Sequence, residues 1–87
     1  MGKLKTKVES VVAETFHDAI AELEEIPQLE KLSGHVIWQG FDGMPDRERQ
    51  RKLWGALRDE LTPQETNGLS LILTFTPAEL SAMAGSN

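Results

Sequence analysis

Residues 35–76 read HVIWQGFDGMPDRERQRKLWGALRDELTPQETNGLSLILTFT, and the predicted fold rests on the order of patterns within them. A short β-prone run occupies 35–39, and a second run at 69–76 follows an Asn-Gly turn. Between the runs, leucines and a tryptophan recur at helical spacing over about 45–61. Two strands joined through a helix normally lie parallel when they share a sheet. This order therefore predicts an α+β domain.

The run at 69–76 alternates apolar and mixed positions in the manner of a strand. Its more apolar side is predicted to face the core. That side comprises Leu69, Leu71, Leu73 and Phe75.

The residues that follow this strand carry a helix-start signal. Thr76 supplies a capping hydroxyl, Pro77 suits the first helical position, and Glu79 lies three residues after the cap. A short helix is therefore predicted over about 77–84, and the tail at 85–87 is expected to fray.

On the N-terminal side, apolar residues recur at three-and-four spacing from about 4 to 26, which predicts one long amphipathic helix. Pro27 is expected to end it. The predicted organisation is a single domain over 1–87, with a helical N-terminal segment at 1–32 and a core at 35–84 that holds a two-stranded sheet.

The long predicted helix carries more apolar surface than two strands can cover, because a two-stranded sheet is stable only with further packing. Part of its apolar stripe is expected to pack on the second strand, and the remainder to form a two-fold contact with a second copy. The stripe comprises Val8, Val12, Phe16, Ile20 and Leu23.

Composition limits the possible functions. Nine Lys and Arg against fourteen Asp and Glu give a net charge of −5, which disfavours nucleic acid as a partner. The chain has no cysteine and only two histidines, so we expect no metal centre and no cofactor. No nucleophile with a neighbouring base is recognisable, and we expect no catalysis. No apolar run approaches the length of a membrane span, which suggests a cytoplasmic protein.

Four segments, taken in order and spacing, resemble the second half of BolA-like proteins. They are VIWQGFDG at 36–43, RQRKLWGAL at 49–57, GLSL at 68–71 and TPAEL at 76–80. The resemblance implies a core similar to class II KH domains. It also implies an association with glutaredoxin-bound iron–sulfur clusters and with transcriptional regulation.

Two positions depart from the family pattern. Gln50 stands where the family has histidine in its helix motif, and Asn67 stands where the family has the histidine that can ligate a shared cluster. An amide is a poor substitute for imidazole toward iron. The family's first strand and its histidine-containing loop also have no evident counterpart, so cluster sharing is not expected.

Six residues are candidates for partner binding. Tryptophan and arginine are common in binding hot spots, although a core position for Trp38 and a solvated, salt-bridged helix face for the arginines are the alternatives. The candidates are Trp38, Phe41, Arg47, Arg49, Arg51 and Asn67.

The leading functional hypothesis is a non-catalytic binding or adaptor domain that docks a protein partner, by resemblance a glutaredoxin-type or regulatory protein. The alternative is a self-assembling structural module that dimerises through the N-terminal helix. Nucleic-acid regulation is supported by the resemblance and opposed by the charge.

Overall fold

The computed structural model describes residues 3–84 and confirms the α+β class. Its elements in chain order are α1 (Lys3–Thr15), β1 (Ile20–Ile26), β2 (Lys31–Ile37), a 3-10 turn (Gln39–Phe41), α2 (Asp46–Glu60), α3 (Pro63–Asn67), β3 (Leu69–Phe75) and α4 (Pro77–Ala84).

The three strands form one sheet in the order β1-β2-β3. β1 and β2 are an antiparallel hairpin, whereas β2 and β3 are parallel and are connected through α2 and α3. The parallel pairing was predicted from the strand–helix–strand order. The third strand was not, so the expected two-stranded sheet is wrong.

The predicted long first helix is also wrong, because α1 ends at Thr15 and residues 20–26 form a strand. The amide of Phe16 still bonds the Val12 carbonyl at 2.8 Å, but Asp18 then adopts a left-handed backbone with φ of 70° and turns the chain. The spacing of the apolar residues continues across this turn, although the secondary structure changes. The described part of this segment, 3–32, is therefore a helix, a strand and the start of a second strand.

The β1–β2 turn contains Pro27 and closes with Glu30 in a left-handed conformation at φ of 52°. β2 consequently starts at Lys31, four residues before the predicted start. Within it, Gly34 allows the strands to approach closely, since a Cβ atom there would lie 2.1 Å from the carbonyl oxygen of Glu22. No other residue type fits this position without displacing β1.

A register shift in β3 reverses the predicted core side of that strand. Leu32 pairs with Leu69, but Gly34 pairs with Ile72, so β3 carries an extra residue between the two pairs. The alternation of buried and exposed positions therefore changes at the extra residue. Leu69 and Ile72 are buried, while Leu71 is 62% and Leu73 43% exposed. Thr74 and Thr76, not Leu73 and Phe75, continue the buried row.

α2 and α4 lie where predicted, and α3 was missed. Thr62 and Glu65 form a capping box, with the Glu65 amide 3.1 Å from the Thr62 hydroxyl, and Pro63 follows the cap. The same Thr-Pro-x-Glu pattern begins α4, where the Glu79 amide lies 3.1 Å from the Thr76 hydroxyl. Both helices thus begin with one local signal.

α1 and α2 pack on one side of the sheet, here called the covered face. The core between them contains thirteen buried residues: Val8, Val11, Val12, Phe16, Leu23, Leu32, Val36, Phe41, Leu53, Leu57, Leu61, Leu69 and Ile72. The opposite side, the open face, carries Ile20, Glu22, Glu24, Ile26, Lys31, Ser33, His35, Ile37, Leu71, Leu73 and Phe75. No helix among residues 3–84 is long and apolar enough to cross a membrane.

Candidate partner-binding site

A cleft lies at the end of the sheet where the β1–β2 turn, the start of α1 and the start of β3 meet. We call it the hairpin-end cleft. Its cavity measures about 250 Å³, and its lining residues are Leu4, Lys5, Glu25, Ile26, Pro27, Glu30, Lys31, Leu32 and Gly68.

Contacts between distant segments hold this cleft together. The Lys31 ammonium donates a hydrogen bond to the carbonyl oxygen of Asn67, which ties the hairpin to the end of α3. Lys7 of α1 bonds Glu65 of α3 at 2.9 Å. Hydrogen bonds from the Thr62 amide and from Lys7 lower the pKa of the Glu65 carboxyl. The cleft therefore has walls from four elements fixed relative to one another.

The chemistry of the cleft is apolar inside and charged at the rim. Leu4, Ile26, Pro27 and Leu32 supply aliphatic surface, and two lysines and two glutamates surround it. Sites of this type bury an apolar group and use charged side chains to orient it. The arrangement fits an apolar side chain presented by a protein or peptide.

Asn67 lies beside this cleft, and its side chain is exposed at the end of α3. The surrounding donors do not fit an iron–sulfur cluster. Neither the turn at 27–30 nor the residues next to Asn67 include a histidine or cysteine. Among residues 3–84, no group of three or more His, Cys, Asp or Glu side chains is arranged to hold a metal ion. No reaction step through a cluster is therefore assigned to this chain.

Arg49, a predicted partner-binding residue, is an internal structural residue. It is only 9% exposed and forms a two-pronged ion pair with Glu79, at 2.7 and 2.9 Å. Its Nε donates to the Met44 carbonyl at 2.7 Å, and its guanidinium lies 5.8 Å from the centre of the Phe41 ring. Arg49 thus attaches α4, none of whose residues is buried, to α2.

The charges of this pair reinforce each other. The hydrogen bond to Glu79 raises the pKa of the Arg49 guanidinium. The same hydrogen bond, followed by one from the Thr76 amide, lowers the pKa of Glu79 from 4.5 to about 2. Both groups are ionised at neutral pH, which suits an anchor between helices.

The predicted aromatic candidates form a cluster at the other end of the core. Phe41 is fully buried, and its ring centre lies 5.1 Å from that of Trp38 and 5.7 Å from that of Phe16. Trp38 is half-buried and donates its indole N–H to the His17 carbonyl at 2.9 Å. Phe41, predicted as a partner-binding residue, is therefore a core residue, and Trp38 remains partly accessible.

Arg47 and Arg51 remain exposed on α2, where they line a second depression of about 470 Å³ with Pro45 and Glu48. They lie apart from the hairpin-end cleft, because no residue lines both. The six predicted binding residues therefore do not form one site. Of them, only Asn67 lies beside the cleft.

The stripe predicted to form a dimer contact belongs mostly to the chain's own core. Val8, Val12, Phe16 and Leu23 are each 9% exposed or less. Only Ile20 is accessible, at 57%, and it lies on the open face. A contact between two copies through this stripe would have only Ile20 available at the surface.

Gln50 has a role that the sequence did not reveal. Its side chain accepts a hydrogen bond from the Trp54 indole at 3.1 Å and donates to the Ile72 carbonyl at 2.9 Å. The Phe75 carbonyl bonds the Trp38 amide on the β2 side, so by alternation the Ile72 and Thr74 carbonyls point to the outer edge. α2 thus satisfies carbonyl groups along the free edge of β3.

The cleft was also missed, because its turn lay inside the predicted helical segment. Pro27 was interpreted as a helix end when it marks a turn between strands. Gly34, with β-prone residues after it and a Leu-Ser pair before it, was the available signal for a longer strand.

Comparison with protein-family models and with curated proteins gives no match. Solved structures do match. BolA1 from Arabidopsis thaliana has a TM-score of 0.70 at 17% identity, over 91% of this chain and 98% of that one. The BolA domain of SufE1 from the same plant has a TM-score of 0.69 at 20% identity, over 91% and 98% of the two chains.

A bolA protein homologue from Coxiella burnetii has a TM-score of 0.66 at 21% identity, over 93% of this chain and 95% of that chain. These likenesses confirm a BolA-type fold. The sequence resemblance covered the second half of the chain, whereas the structural likeness includes α1 and the hairpin. The family's first strand therefore has a counterpart here in β1.

Proposed function

We propose that this chain is a non-catalytic adaptor domain of BolA type that binds a protein partner at the hairpin-end cleft. The observation that carries the proposal is the meeting of the β1–β2 turn with Asn67, fixed by the hydrogen bond from Lys31. It brings an apolar cavity next to the position where, by resemblance, the family has a cluster-ligating histidine. The adaptor therefore works by surface contact, without contributing a ligand to iron.

A glutaredoxin is the partner that the resemblance implies, and it is the probe for the test. The ¹⁵N-labelled chain is titrated with the glutaredoxin in its cluster-free form. Amide shifts are expected to concentrate at 26–31 and at Asn67 and Gly68, because these residues line or adjoin the cleft. Ile26→Lys should weaken binding about tenfold or more by placing a charge against the apolar wall. Arg47→Ala, on a separate surface, is the control.

The absence of any shift at the cleft, with or without a cluster on the glutaredoxin, would contradict the proposed partner and site. Shifts confined to the α2 surface around Arg47 would instead assign binding to the depression there.

Asn67→His tests the inferred ligand position. If the position corresponds to the family's ligand, histidine should increase the lifetime of a cluster on the glutaredoxin complex, since imidazole binds iron and an amide does so poorly. Visible absorbance during incubation with a chelator measures that lifetime. Gln64→His places the same group on α3 and should leave it unchanged. Equal behaviour of the two variants would overturn the alignment at this position.

A further inference from the structure

The open face combines apolar and acidic surface in separate strips. Pairing across the sheet aligns Ile20 with Ile37 and Phe75, and Glu22 with His35 and Leu73. Ile37, at the end of β2, is 8% exposed and lies outside the helix-side core. The open face therefore carries apolar side chains from all three strands.

The apolar strip follows β3. Leu71 and Leu73 are 62% and 43% exposed, which leaves two leucines side by side at the surface. Phe75 next to them is half-buried, with its ring centre 5.7 Å from that of His35 in an edge-on contact. Exposed leucines that lie next to each other form an apolar patch, and such patches indicate a contact surface.

The acidic strip follows β1. Glu22 and Glu24 project from the same side as Ile20, and both are exposed. His35 on the central strand lies 2.7 Å from the Glu22 carboxylate and separates the two strips. A ligand for this face therefore needs an apolar surface over β3 and positive charge over β1.

We propose that the open face is a second docking surface, which binds one amphipathic helix of a partner with its basic flank along β1. Three strands of seven residues form a surface about 23 Å long and about 14 Å wide. A helix of about 15 residues is about 22 Å long and 10–12 Å across, and so covers this surface once. The apolar stripe of the partner helix packs on the leucine strip, and its lysines or arginines pair with Glu24 and Glu22.

A second copy of the chain fits this face poorly. If the two-fold axis runs along the strands, β1 of each copy lies over β3 of the other, and Glu22 and Glu24 cover leucines. If the axis crosses the strands, β1 lies over β1, and the glutamates face glutamates. Either arrangement desolvates carboxylates without opposite charges. The charge pattern therefore favours a basic helix.

The leucines and glutamates that this proposal uses do not line the hairpin-end cleft, so the two proposals fail independently. The probes are two synthetic helices of about 15 residues with one leucine stripe, flanked by lysines in one peptide and by glutamates in its twin. Fluorescence anisotropy measures their binding to the full chain. The lysine peptide should bind about tenfold or more tightly than its twin. It should shift amides at 33–37 and 71–75.

Charge reversal gives the sharper test. Glu24→Lys should abolish the preference between the two peptides, because its positive charge offsets that of Glu22, whereas Glu14→Lys, on the exposed side of α1, should leave it unchanged. Leu71→Ser with Leu73→Ser should weaken the lysine peptide about tenfold or more. Leu29→Ser, at 60% exposure in the β1–β2 turn, is the matched control.

Equal affinity for the twin peptides, or shifts that appear only at the cleft, would overturn the proposal. Self-association of the chain that Leu71→Ser abolishes would also overturn it, by assigning the face to a second copy. Should the double leucine variant fail to fold, the loss of preference in Glu24→Lys remains decisive because that residue is at the surface.

Discussion

The two faces of the sheet are built from the same three strands, yet their leucines and isoleucines have opposite roles. On the covered face Ile72 is fully buried, while its neighbour Leu71 on the open face is 62% exposed. Composition does not distinguish these two residues. The extra residue in β3 and the helices packed on one side decide which of them supports the fold and which is available to a partner.

The largest difference between the faces should appear at the end of α1. Phe16→Ala is expected to lower the free energy of unfolding by about 3–5 kcal/mol, because its ring is 3% exposed between Trp38 and Phe41. Ile20→Ala, on the open face, should change it by about 0.5 kcal/mol. Urea denaturation at two protein concentrations measures both.

The same experiment tests the predicted homodimer. A core position for Phe16 requires the unfolding midpoint of wild type and variant to be independent of concentration. A midpoint that rises with concentration and falls selectively in Phe16→Ala would instead place this ring in a contact between copies.

The neighbouring pair in β3 tests the assignment of faces directly. Ile72→Ala should cost about 2–5 kcal/mol through the cavity that it leaves. Leu71→Ala should cost about 0.5 kcal/mol, since its side chain is mostly in water. Circular dichroism in urea gives both values. A larger effect for Leu71 would reverse the faces and restore the core side predicted from alternation.

Gly34 lies where two strands approach closely, whereas Gly55 lies beside open space. Gly34→Ala should destabilise by about 3 kcal/mol, the upper end for overpacking, because the new methyl group meets the Glu22 carbonyl and the Leu23 Cα. Gly55→Ala should stabilise by about 0.5–1 kcal/mol, since it lies in α2 with nothing within 4 Å of the added Cβ. Thermal melts followed by circular dichroism distinguish the two signs.

The smallest predicted effect concerns pH. The pKa of Glu79 is about 2 in the folded protein and 4.5 as its ordinary value, so its ion pair with Arg49 stabilises the fold fully above about pH 4.5. That contribution is lost as the pH falls toward 2. The difference in unfolding midpoint between wild type and Glu79→Gln should be constant near neutral pH and shrink through this window. A constant difference down to pH 2 would show that the ion pair does not contribute.

Local chemistry was enough to predict α2, α4 and the parallel strands, because spacing and caps are properties of short segments. The Thr62 capping box could have been predicted in the same way as that of Thr76. The hairpin could not be recognised by apolar spacing, since Phe16, Ile20 and Leu23 fit a helix as well as a turn and a strand. The turns that form the hairpin depend on the left-handed backbones of Asp18 and Glu30, which the sequence does not predict.

The candidate sites were less predictable than the fold because they depend on contacts between distant residues. Arg49 and Glu79 are thirty positions apart, and only their meeting shows that this arginine is internal. Lys31 and Asn67 likewise become neighbours only through the parallel pairing of β2 and β3. The open face depended on the register shift in β3, which no local pattern indicated.

The side chains of Gln50 and Arg49 that bond the Ile72 and Thr74 carbonyls also limit how the protein assembles. An additional strand needs free backbone groups on the edge that it joins, and these two carbonyls are occupied. Strand-by-strand growth is therefore obstructed on the β3 side and directed to β1. A fibre built by strand addition needs a free sheet edge on both sides of every molecule. We therefore expect the native protein to resist this kind of polymerisation.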